Sequence, residues 1–200
     1  MQKQAKITEI CSRSDEKTTA YTQALRLEEQ SEKLVLLTRT LPAYTGAVHA
    51  QEDVENVVKH TVPVRIGFTE GGWFRLTIPG ILPKKEKGSP NYIRGYLFPA
   101  MKAYFCEKEP VRYRDSVLIY CFVYDRERPE RKMRDHDNIE INAVTDIVAL
   151  YVLPDDSPRF TSLYMTSIAG EEDVTEVFVV PRKDFAKWIA VYEENDGDGS

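Results

Sequence analysis

Ser116-Val117-Leu118-Ile119-Tyr120-Cys121-Phe122-Val123-Tyr124 is the most strand-like run in the chain, and the other elements are placed outward from it. Its apolar, β-branched and aromatic side chains follow one another without polar alternation, the pattern of a strand covered on both faces. The run therefore predicts a central strand. Beyond it, Asp125 to Arg134 reads as a highly charged loop. A helix is predicted to begin near Asp137, with Glu140 at capping-box spacing and Ile139, Ala143, Ile147 and Leu150 as its buried stripe. Pro154, Asp155, Asp156 and Pro158 stop it. Two strands follow, about Arg159 to Ile168 and Val174 to Val180, with a turn at Gly170 that predicts a terminal hairpin. Phe185, Trp188, Ile189 and Tyr192 fall at i, i+3, i+4 and i+7, so a short amphipathic helix closes the domain.

Upstream of the central run, Val62 to Phe68 and Trp73 to Ile78 alternate, and Thr69, Glu70, Gly71 and Gly72 separate them as a hairpin turn would. Pro79 to Gly88 is a loop holding Lys84, Lys85 and Lys87. Ser89 and Pro90 suit the cap and first turn of a helix that buries Ile93, Leu97, Met101 and Tyr104, with Pro99 inside it. Ala20, Ala24, Leu27, Leu34 and Leu41 recur at helical spacings from about Ser14 until Pro42, and a shorter helical stretch runs from Glu52 to Lys59. The expected fold is α+β: a small mixed sheet with helices packed on one side, preceded by an N-terminal helical hairpin. The expected organisation is a helical extension over 1–60, an α+β domain over 61–192 and a disordered acidic tail over 193–200.

With 42% apolar residues in 200, the chain can bury one sizeable core. The 30% of charged residues and the absence of a long apolar run predict no membrane span. Met1 to Arg13 contains no apolar core of a secretory signal, so the expected compartment is the cytoplasm. Cys11, Cys106 and Cys121 are odd in number and lack zinc-site spacing, and Cys106 and Cys121 are expected as small apolar residues in a core helix and strand. The net charge is −5, which by itself disfavours a phosphate-rich partner. Its distribution differs from its sum: Ile81 to Arg134 holds 13 Lys and Arg against 7 Asp and Glu, a basic middle beside an acidic remainder.

The residues that point to chemistry are Asp135-His136-Asp137-Asn138, followed after the expected helix by Asp155-Asp156. Read locally, Asp137 is a good helix cap and Asp155-Asp156 good turn chemistry. If the fold brought the two clusters together across one helix, four carboxylates would repel one another unless a divalent cation held them. Hard oxygen donors of this kind suit Mg²⁺ or Mn²⁺. Lys84, Lys85, Lys87, Arg126, Arg128, Arg131, Lys132 and Arg134 lie on loops flanking this segment, either as solvated surface or as a path for phosphate. Trp73, Tyr92 and Tyr96 are core or rim residues first, and platforms for unpaired bases second.

Asp135-x-Asp137-Asn138 and Asp155-Asp156, with Asp156 19 positions after Asp137, resemble the signature of the RusA-type Holliday junction resolvases. The order of a strand ending in Pro, a loop and helix, a central strand, a basic loop and a terminal hairpin is similar over roughly Trp73 to Arg182. The resemblance implies a Mg²⁺-dependent homodimeric endonuclease that resolves four-way junctions and other branched DNA. It implies Asp135, Asp137 and Asp156 as catalytic residues, with Asp155 joining them as a metal ligand. From their place on loops flanking the acidic site, Lys84, Lys85, Lys87, Arg131, Lys132 and Arg134, with Asn138 of the motif, are the expected DNA contacts. Where the family has a catalytic lysine, four residues after the second Asp of the motif, this chain has Ile141. Thr145 stands where a further Asp is common, and Asn142 and Asp146 each stand one residue later. A non-catalytic DNA-binding or assembly protein on the same fold is the alternative.

Overall fold

The computed structural model describes residues 19–20, 22–24, 26–27, 30–106, 108, 111–127, 133–154 and 159–193. The chain divides into two compact units, Met1–Ala50 and Gln51–Ser200. In the first, the described residues between 19 and 40 are helical (α1). Pro42 falls in the first turn of a 3-10 helix, Leu41–Thr45, which follows α1 and closes on Gly46 in the left-handed region. The Asp155-Asp156 pair, Arg128, Arg131 and Lys132, Cys11, and the tail after Glu193 lie outside the described residues.

The second unit carries α2 (Ala50–Thr61), β1 (Arg65–Phe68), β2 (Phe74–Pro79), α3 (Ser89–Phe105), β3 (Ser116–Asp125), α4 (Asn142–Val152), β4 (Thr161–Gly170), β5 (Val174–Pro181) and α5 (Phe185–Glu193). The five strands form one mixed sheet in the order β1-β2-β5-β3-β4. The expected terminal hairpin is split. β4 and β5 are consecutive in sequence, yet β3 lies between them, parallel to β4 and antiparallel to β5. The reason is the β3–α4–β4 crossover: a helix carries the chain back along the sheet, so β4 can only add parallel to β3. The link from β4 to β5 then passes over the end of β3, where Arg126 N donates to Gly170 O at 2.9 Å and Asp125 N to Asp173 Oδ1 at 3.0 Å. A Cβ at Gly170 would sit 2.3 Å from Val123 Cγ1, so the crossing needs glycine.

Alternation along each strand builds two cores. On the first face Phe74, Leu76 and Ile78 join Leu118, Tyr120, Phe122, Val177 and Val179 beneath Ile93, Leu97 and Met101 of α3 and Val144, Ile147 and Val148 of α4. On the second, Val117, Ile119, Cys121, Phe178 and Val180 pack against Trp188 of α5. Helices therefore cover both faces, and the expectation of one covered side is corrected. Both strand phases of β3 and β5 are apolar, which requires cover on each side.

Three local expectations also shift. Gly88, with φ 108°, precedes α3, so Ser89 lies inside the helix. α4 begins at Asn142 instead of near Asp137, and Leu150 is exposed while Val144, Val148 and Val152 are buried. Cys121 is buried in β3 as expected, but Cys106 is exposed just past the end of α3.

Candidate functional site

The acidic motif occupies a short bridge between the charged loop after β3 and the start of α4. Asp135 has extended backbone (φ −63°, ψ 132°) and precedes a 3-10 turn, His136–Asn138, with Asn138 N donating to Asp135 O at 3.0 Å. Asp135 makes no side-chain capping bond, so its carboxylate is not spent on holding its own turn. Asp135, Asp137 and Asn138 are exposed. Asp137 is thus a turn residue and not the cap of α4. That role falls to Glu140, a buried carboxylate whose Oε1 accepts Ala143 N at 3.2 Å. A carboxylate at a helix start meets free N–H groups and the positive end of the helix dipole.

Three sets of contacts fix this turn to the sheet. His136 lies against the Phe122 ring at 5.5 Å between centroids, and its Nε2 is 2.9 Å from Ser167 Oγ on β4. Arg134 N donates to Tyr124 Oη at 3.0 Å, and the Arg134 guanidinium donates to Leu82 O at 2.6 Å. Third, the turn is stitched to the lysine loop: Lys84 and Ile139 form an antiparallel bridge, Lys85 N donates to Asn138 O at 2.9 Å, and Glu140 N donates to Pro83 O at 2.9 Å. Residues some fifty positions apart in sequence thereby place a basic loop beside an acidic turn. Lys84, Lys85 and Lys87 are exposed.

Of the residues expected at the site, Asp135, Asp137, Asn138, Lys84 and Lys85 are brought together. Arg134 is half-buried and its guanidinium holds Leu82, so it positions the loop. Ile141, where the lysine was sought, is buried at 7% exposure. Thr145 bonds Tyr120 Oη at 2.8 Å, and Asp146 pairs with Arg94 at 3.0 Å on the surface. Neither Asn142 nor Asp146 supplies a cation. Before and after Asp155-Asp156, Val152 O accepts Tyr113 N at 3.0 Å and Phe160 O accepts Ser116 N at 3.1 Å, at the start of β3 and away from the acidic turn. Among the described residues no group of three or more His, Cys, Asp or Glu side chains is placed to hold one metal ion. Tyr96 is buried, and Tyr92, half-buried, meets it edge-on at 5.4 Å. Trp73 is half-buried against the second core, so the aromatic platforms are rim or core residues.

Sequence reasoning missed His136 as an anchor and Glu140 as the actual cap. A capping-box spacing from Asp137 to Glu140 was visible, but the bond that forms runs from Ala143 N to Glu140 Oε1 instead. The signal for His136 was its position between two aspartates: its ring tilts against Phe122 while Asp135 and Asp137 stay exposed.

A family model described as a family of unknown function, DUF6100, matches residues 1–198. No curated protein matches the chain. Among solved structures, the periplasmic domain of Helicobacter pylori MotB (residues 90–256) shows 13% identity over 68% of this chain and 91% of that one, with a TM-score of 0.32. A superposition that loose carries no argument about fold or activity. No helix among the described residues is long and apolar enough to cross a membrane.

Proposed function

The chain belongs to the DUF6100 family, whose function is unknown, and we propose that it is a Mg²⁺- or Mn²⁺-dependent endonuclease acting on branched DNA as a homodimer in the cytoplasm. The observation that carries this reading is the bridge between the lysine loop and the acidic turn. It sets exposed cations beside exposed carboxylates, the arrangement that guides a phosphate to a metal. Asp135 and Asp137 offer hard oxygens with no capping duty on Asp135, and they suit part of a Mg²⁺ shell completed by water. The resemblance would add Asp155 and Asp156, but the described residues before and after them meet the start of β3 while the acidic turn meets its end, so this reading rests on Asp135 and Asp137. When bound, the metal supplies an activated water and offsets charge on the departing oxygen. The chain's own residues orient: His136 and Arg134 hold the turn, while Lys84, Lys85 and Lys87 attract the backbone of the DNA.

A specific observation favours the second reading, a DNA-binding protein without turnover: Ile141 is buried where the resolvase lysine would stand. Lys84 and Lys85, held against the turn, are the residues available to replace that charge. A synthetic four-way junction incubated with Mg²⁺ or Mn²⁺ separates the two. Cleavage lost in Asp137→Asn, with junction affinity retained, supports the nuclease. Binding without cleavage by the wild type establishes the second reading, and absence of both overturns the DNA assignment. Changing Lys84, Lys85 and Lys87 together to Ala should lower the log–log salt slope of binding by roughly 2 to 3 units if they neutralise about three phosphates.

A further inference from the structure

The two edges of the sheet are built differently. β1 is four residues long and carries exposed Arg65, the short and charged form that keeps an edge from pairing. β4 is ten residues long and, among the described residues, pairs only with β3. No charged residue and no proline occurs between Arg159 and Glu171, and Leu163 on this strand is 50% exposed. Among the described residues none of the usual devices protects this edge, so its outer row of backbone groups is a template for another strand.

We infer that the β4 edge is the surface on which two copies of this chain pair, antiparallel about a two-fold axis perpendicular to the sheet, so that one sheet runs through both copies. An isologous contact of this kind requires the strand to be complementary to itself. That axis also sets side by side only residues that point to the same face, which restricts the register to alternate choices. In the register where Met165 meets its own copy, Leu163 lies opposite Ser167 and Ser162 opposite Ile168. Tyr164 then lies opposite Thr166, and exposed Arg159 and exposed Glu171, each just outside the strand, fall at the same end of the pair. The strand is flanked by a cation at one end and an anion at the other. Antiparallel self-pairing therefore forms the same favourable charge pair twice and sets no like charges opposite each other. This charge arrangement is what selects a second copy over an unrelated extended peptide. The inference gives the homodimer proposed above its interface, and it is read out by mass alone, independently of any cleavage of DNA.

The test uses the full chain in sedimentation velocity over a dilution series at micromolar concentrations. The wild type is expected as a dimer. Leu163→Lys should weaken it about tenfold or more, and Arg159→Glu or Glu171→Arg alone should each weaken it severalfold. The double variant Arg159→Glu/Glu171→Arg should recover the wild-type dissociation constant. In a Cys11→Ser/Cys106→Ser background, Met165→Cys should give a reducible covalent dimer under mild oxidation, whereas Ser162→Cys, remote from its own copy in this register, should not. A monomeric wild type overturns the inference. So does a dimer indifferent to Leu163→Lys and to the charge swap, with unchanged circular dichroism showing that the variants are folded.

Discussion

Among the described residues, one face of the sheet is covered by α3 and α4 with Val58 of α2, and the other by α5. The difference separates what holds the site from what holds the sheet. On the first face a buried polar contact is part of the packing: Tyr120 reaches Thr145 Oγ1 at 2.8 Å and Ile141 O at 3.2 Å, at the start of α4 just after the acidic turn. On the second face the cover is an aromatic cluster that, among the described residues, makes no hydrogen bond to the turn. Trp188 stacks on Tyr192 at 4.6 Å and meets Phe178 and Tyr164 edge-on at 5.6 and 6.1 Å. Beside it the exposed side of Arg75 reaches the buried carboxylate of Glu176. The first face should therefore respond to substitution in both stability and chemistry, and the second in stability only.

The largest expected effect breaks the second face. Trp188 is 1% exposed and is the buried centre of α5, with Phe185, Ile189 and Tyr192 only partly buried around it. Trp188→Ala should destabilise the second unit by about 3–5 kcal/mol, as large-to-small changes of buried aromatics do. Its indole N–H has no hydrogen-bond partner among the described residues, so Trp188→Phe should cost much less. Denaturant unfolding of both variants checks this. If junction binding per folded molecule changes with Trp188→Phe, the two faces are not independent.

How much of this was legible follows from the same division. β3 was placed in the interior because both of its side-chain phases are apolar, and that pattern already implied cover on two faces. The expectation of helices on one side did not follow its own evidence of two-sided burial in Ser116–Tyr124. The hairpin reading of about Arg159 to Ile168 and Val174 to Val180 fails because a short link looks like a turn whether or not a third strand passes beneath it. Only long-range pairing, fixed by the β3–α4–β4 crossover, decides between the two. At the site, Asp135, Asp137 and the lysines were legible as residue types. Their adjacency was not, since it rests on main-chain bonds from Pro83, Lys84 and Lys85 that leave no mark on side-chain pattern.

An intermediate effect is expected on the first face. Burial pushes the Tyr120 hydroxyl well above its usual range, with the Thr145 hydrogen bond opposing the shift, so the group stays protonated and can donate to Ile141 O. Tyr120→Phe removes both polar contacts and should cost about 1–2 kcal/mol. It should also loosen the first residues of α4 and the turn before them. Hydrogen exchange at Ala143–Thr145 is expected to accelerate relative to the core of β5, and unchanged exchange there would show that packing alone holds α4 in place.

The smallest effect sharpens the second face through pH. The Tyr192 hydroxyl is pushed up to about 12, first by burial against the aromatic cluster and next by the Glu176 carboxylate, with Arg75 offsetting part of the shift. In the unfolded chain the same group ionises near 10. Because the folded pKa is the higher one, the stabilising contribution is fully present below about pH 10 and is lost as pH rises towards 12. Tyr192 is only half-buried, so after solvent screening the contribution is on the order of 1 kcal/mol. Tyr192→Phe should therefore leave stability near pH 8 little changed and flatten its decline between pH 10 and 12. Arg75→Met should steepen that decline, since it removes the cation that balances Glu176 beside the phenol. Chemical denaturation of the three proteins across this range is the measurement. Parallel curves would mean that the tyrosine does not sense the Arg75–Glu176 pair, and the second face would then rest on aromatic packing alone.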